Sequence, residues 1–150
     1  MGDKTLCKIP IVGEEIIIGY TDRETVMLDI DNARYKQIKF VARWLMERFD
    51  LGGFIILRSS DDNYHVVFNR TVIWEENVHI IGFASYMLRN ERGGKKSMGW
   101  VIMQLIKESS TLRISTKGRK PRPKIIYKEG EQDKEIATFR EYRKIFGNYH

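Results

Sequence analysis

The chain predicts an α+β fold in which helices pack on a mostly antiparallel sheet, and three observations carry that reading. Short β-branched runs and longer stripes of three-and-four spacing are intermixed along the chain, without the strict alternation of a parallel βαβ protein. The polar segment Ser59-Ser-Asp-Asp-Asn63 separates two strand-like runs as a hairpin turn would. The 150 residues are 42% hydrophobic, 11% aromatic and 31% charged, the balance of one globular domain spanning 1–150.

Residues 15–19 and 25–31 read as strands joined by the polar turn Tyr20-Thr-Asp-Arg-Glu24. Ile38, Val41, Ala42, Leu45, Met46 and Phe49 then recur at helical spacing, which predicts an amphipathic helix over 33–50, stopped by Gly52-Gly53. Strands are expected at 54–58 and 64–69, and helices at 74–88 and 97–107 on either side of a Gly-containing break. Short strands at 111–115 and 124–127 precede a last helix at 133–146 carrying Ile136, Phe139 and Tyr142. Trp44, Trp74 and Trp100 lie in or beside helical stretches and are expected in the core.

No apolar run is long enough to span a membrane, and the start Met1-Gly-Asp-Lys-Thr5 has none of the features of a secretory leader, so the expected location is cytoplasmic. The single cysteine, Cys7, has no internal disulfide partner, and His65, His79 and His150 show no zinc spacing. Any metal is therefore expected on oxygen ligands, as Mg2+ or Mn2+. The formal charge of +6 favours a polyanionic partner. Its densest source is Lys117-Gly-Arg-Lys-Pro-Arg-Pro-Lys124, which Pro121 and Pro123 keep out of helical form. Lys117, Arg119, Lys120, Arg122 and Lys124 are accordingly the expected nucleic-acid contacts, or else a solvated charged loop.

Period-two alternation places Val26, Leu28 and Ile30 on one face of their strand and Met27, Asp29 and Asp31 on the other, which predicts one core face and one acidic face. Carboxylates two residues apart on a strand can converge on a divalent ion, or serve as solvated side chains and helix caps. The same parity sets His65 on a face with Val67 and Asn69, as a half-buried core histidine or as a donor to phosphate. Thr111, Arg113 and Ser115 point away from Leu112 and Ile114, followed by Lys117. Beside the carboxylates they would supply the guanidinium, hydroxyl and ammonium that a nucleoside triphosphate needs, or ordinary surface salt bridges.

Thr25-Val-Met-Leu-Asp-Ile-Asp-Asn32, Phe54-Ile-Ile-Leu-Arg-Ser-Ser-Asp-Asp-Asn-Tyr-His-Val-Val-Phe68 and Thr111-Leu-Arg-Ile-Ser-Thr-Lys117 together resemble the catalytic core of archaeo-eukaryotic primases. More narrowly, they resemble the small primase-polymerase-like replication proteins of archaeal plasmids and viruses. The resemblance implies an RRM-like core, metal ions on Asp29 and Asp31, and nucleotide phosphates on Ser60 and His65, with Arg113 and Lys117 matching a basic stretch near the third motif. It also implies nucleotidyl transfer in DNA replication, with DNA, nucleoside triphosphates and replication proteins as partners. The family's third motif is a hydrophobic strand ending in Asp. Between Phe83 and Arg113 this chain offers only Glu91 and Glu108, and Glu108 stands nearer that place. The alternative implied is a catalytically inactive primase-fold module that binds DNA.

Overall fold

The computed structural model describes residues 5–9, 17–88 and 110–146. In chain order the elements are β1 (Thr5–Ile9), β2 (Ile17–Asp22), β3 (Met27–Ile30), α1 (Tyr35–Arg48), β4 (Gly53–Ser60) and β5 (Asn63–Phe68). They continue with α2 (Trp74–Met87), β6 (Ser110–Arg113), β7 (Lys124–Gly130) and α3 (Glu135–Phe146). The fold is α+β, with two antiparallel sheets of strand order β1-β2-β6 and β3-β5-β4-β7.

The four-stranded sheet is the middle of the molecule because it is apolar on both faces. On one side Val26, Leu28, Ile30, Ile56, Val66 and Phe68 meet Ile38, Val41 and Leu45 of α1 and Ile80, Ile81 and Ala84 of α2. On the other, Met27, Ile55, Leu57 and Val67 meet Ile18 and Tyr20 of β2, Leu112 and Ile114 from the β6 region, and Ile136 and Phe139 of α3. This corrects the expectation of a single core face: Met27 is fully buried, and the face it shares with Asp29 is a second core. The unbroken runs Ile55-Ile56-Leu57 and Val66-Val67-Phe68 carry that information, since a strand covered on both faces has no reason to alternate.

Several expected elements shift. The strand read at 15–19 is observed as β2 at Ile17–Asp22, β1 was not expected, and the helix expected at 97–107 lies outside the described residues. The strand expected at 111–115 belongs to the sheet of β2, so it does not lie beside β3 in one sheet. Trp44 is a further correction. It is 36% exposed on α1 and packs ring to ring against Phe49 and Phe83, with centroids 6.4 and 6.1 Å away. Trp74 is half-buried under the Arg23 guanidinium, and Trp100 lies outside the described residues. Gly53 is required where it stands, because a Cβ there would collide with the backbone of Glu129 and Glu131 across the β4–β7 pair. Among the described residues no helix is long and apolar enough to cross a membrane.

Candidate nucleic-acid interface

Two connections at one end of the four-stranded sheet build a cation-rich concavity. The first is the β4–β5 hairpin, whose turn is Asp61-Asp62, with Asp62 in the left-handed region at φ 59°. Asn63 anchors it: its amide donates to Ser60 Oγ at 2.6 Å, and its Oδ1 accepts the Asn32 N–H at 2.7 Å. The Ala33 N–H donates to the Asp62 carbonyl at 2.9 Å, so the hairpin end is tied to the entry of α1. Ser59 and Ser60 thus belong to the last residues of β4 rather than to the turn in which the sequence reading had set them.

The second connection runs from β6 to β7. Lys117 and Lys120 exchange backbone hydrogen bonds of 3.1 and 2.9 Å around Gly118-Arg119, and Gly118 takes φ 58° at the first central position of this two-residue turn. Arg113 braces the loop from below. Its guanidinium donates to the carbonyls of Ser115, of Pro121 at 3.1 Å and of Ser59 at 3.5 Å, joining the loop to β4. Ser115 is buried, and its hydroxyl accepts the Ile18 N–H at 2.8 Å. Both residues therefore position the loop, whereas the sequence reading had turned their side chains outward toward a ligand.

Between the two connections lies a cleft of about 740 Å³. Arg58, Ser59, Ser60 and Asp61 line one wall, and Lys117, Arg119, Lys120, Pro121, Arg122 and Lys124 line the other with Ile126. Six cationic side chains thus meet one carboxylate, Asp61. By contrast, Arg43 pairs with Glu129 at 2.7 Å, and Arg70 with Glu131 at 2.9 Å and Asp50 at 2.7 Å. Among the described residues Lys117, Arg119, Lys120 and Lys124 form no ion pair with a carboxylate. A concave, one-signed wall focuses positive potential and draws polyanions.

Asp29 and His65 form a separate feature. They face each other in register on β3 and β5, with His65 Nε2 3.4 Å from Asp29 Oδ1. The His65 side chain is 5% exposed and the Asp29 side chain 32%, so the pair opens to solvent through the carboxylate. His65 Nδ1 is buried and has no hydrogen-bond partner among the described residues. Asp31 is exposed just beyond the end of β3. The donor set tests the expected Mg2+ or Mn2+ only in part. Two carboxylates hold magnesium when phosphate oxygens and waters complete its shell, and no group of three or more His, Cys, Asp or Glu suited to a metal occurs among the described residues. Glu108 lies outside them.

The expected residues therefore fall into two places. Ser60, Lys117, Arg119, Lys120, Arg122 and Lys124 share the cleft, whereas Asp29, Asp31 and His65 are outside its lining and Arg113 supports its floor. Arg58 was missed as a cleft residue. Its sequence signal was an arginine closing the apolar run Phe54-Ile-Ile-Leu57 directly before Ser59-Ser60, and the structure exposes it between buried Leu57 and Ser59.

The chain matches no protein-family model, no curated protein and no solved structure.

Proposed function

We propose that the protein binds the phosphate backbone of a nucleic acid in the cleft between the β4–β5 and β6–β7 connections. The observation that carries this reading is the convergence of Arg58, Lys117, Arg119, Lys120, Arg122 and Lys124 on one concave surface, beside the hydroxyls of Ser59 and Ser60. Basic side chains displace condensed counterions from a polynucleotide, so binding through them falls steeply as salt rises. The two prolines and the closed Lys117–Lys120 turn keep the cations spread, which lowers the ordering cost of contact. Replacing Lys117, Arg119, Lys120 and Lys124 together by Gln removes charges without touching Arg113, which braces the fold. Affinity for single-stranded DNA at low salt is expected to fall on the order of 10²-fold and the salt slope by about 3. An unchanged slope in a folded variant rejects the reading.

A second reading, nucleotidyl transfer of the primase-like kind, draws on the in-register facing of Asp29 and His65, two residues that the sequence resemblance assigns to metal and nucleotide phosphates. In it the carboxylates of Asp29 and Asp31 would hold Mg2+ or Mn2+ together with the phosphates of a nucleoside triphosphate. Calorimetric titration of a nucleoside triphosphate with manganese is expected to show metal-dependent binding that the Asp29→Ala/Asp31→Ala variant loses. Equal binding by both folded proteins would remove the carboxylates from any nucleotide site.

A further inference from the structure

A second hollow, of about 560 Å³, lies beside the first, lined by Arg122, Gln132, Arg140, Glu141, Arg143 and Lys144. Arg122 lines both hollows, so they adjoin at the Pro121-Arg122-Pro123 segment. Its guanidinium donates to the Arg143 carbonyl at 2.8 Å, and that of Arg143 donates to the Pro123 carbonyl at 2.8 Å. The two guanidiniums are thereby held against the loop in a fixed arrangement.

Arg143 is an unusual element of this wall. Its Nε is buried and has no hydrogen-bond partner among the described residues, and a buried donor left unmade is costly. Burial first, and then the like charges of Arg122 and Arg140, hold its guanidinium below its usual pKa. Cations in the last turn of a helix complement its dipole, which accounts for Lys144 and in part for Arg143. It does not account for Arg122, which comes from the loop, or for Arg140, which sits a turn earlier. Planar guanidiniums converging on a hollow match the paired oxygens of a phosphate.

We infer that this hollow is a second phosphate subsite, which takes the continuation of a single nucleic-acid strand passing from the first cleft across Arg122. The inference rests on the nucleic-acid reading above and extends its footprint onto α3. A single strand is the fitting occupant because it bends freely between two adjoining concavities, whereas duplex DNA is stiff over such lengths. The sequence carried a signal for the subsite in the basic triplet Arg140, Arg143 and Lys144, three and four residues apart on one helix.

The test compares oligothymidylates of about four and about twelve nucleotides, lengths that bracket common single-strand site sizes. Two variants of the whole chain are used, Arg143→Gln and the exposed pair Arg140→Gln/Lys144→Gln, in case the first perturbs the loop. Both are expected to bind the short oligomer as the parent does, to bind the long one about tenfold more weakly, and to show a salt slope lower by about one. Long-oligomer affinity equal to the parent's in both variants overturns the subsite, as does an equal loss for both lengths. The Lys117/Arg119/Lys120/Lys124 variant separates the two claims: it should lose both lengths. If it retains both, the cleft itself is wrong and the subsite falls with it. Tighter binding of duplex than of single strands would overturn the choice of occupant.

Discussion

Met27→Asp is expected to abolish cooperative folding. Met27 is fully buried on the face of the four-stranded sheet that meets Ile18, Tyr20, Leu112 and Phe139, and it faces Val67 in register. A carboxylate there must either ionise in an apolar layer or fold only as the neutral acid, with no positioned donor. Either route costs several kcal/mol, against a total stability of roughly 5–15 kcal/mol for a domain of this kind. The same substitution at Ile73, which is 67% exposed at the N-cap of α2, should not destabilise the protein and is expected to add about 1 kcal/mol by capping the helix. Urea denaturation followed by circular dichroism reads both. A Met27→Asp protein with the parent's midpoint would mean that the second core does not exist and that this face is open, as strand parity alone had suggested.

Asn69→Ala is the next largest effect. Asn69 follows β5 and is completely buried, and its carboxamide organises the entry to α3. Its Oδ1 accepts the N–H of Lys134 at 2.9 Å and of Ile136 at 3.3 Å, while its Nδ2 donates to Glu131 at 3.0 Å and Asp133 at 3.3 Å. Its main-chain carbonyl accepts the Glu135 N–H at 3.0 Å. Truncation strands two N–H groups at the entry to α3 and removes bonds to two carboxylates, for a loss of about 3 kcal/mol. Glu131 supplies a second readout. The Arg70 guanidinium, then the Asn69 amide, hold its carboxyl at about 2, below the usual 4.5. A depressed carboxyl stabilises the folded state above the unfolded value and loses that contribution as pH falls through the folded one. In the parent, part of the stability should therefore disappear between about pH 4.5 and pH 2. In Asn69→Ala that loss should shrink, since one of the groups favouring the anion is gone. A variant as stable as the parent, with the same acid limb, would show that Asn69 does not secure α3.

What was legible in the sequence follows from how local the cause is. The helix α1 was readable because Ile38, Val41, Ala42 and Leu45 repeat at the period of the helix itself and are all buried. The β4–β5 hairpin was readable because a polar turn between apolar runs specifies its own register. The basic loop was equally plain, since charge density is a property of the chain wherever it folds. The candidate site was only half legible for the complementary reason. That Lys117–Lys124 would face Arg58 and Ser60, and that Arg113 would serve as their brace, depends on β6 pairing with β2 and on β7 pairing with β4. Those pairings join residues far apart in sequence, and no local spacing encodes them.

The sequence by itself determined the α+β class, the helical face of α1, the hairpin and a dense source of positive charge, because each is set by residues near one another along the chain. Only the tertiary structure decided that the sheet has a second core, that Asp29 and His65 meet at its edge apart from the cations, and that the basic loop closes a cleft against β4. Parity assigns a side chain to a face of a strand but does not say what covers that face. Coverage is decided by long-range packing, where the apolar area of β2, β6 and α3 must be buried somewhere.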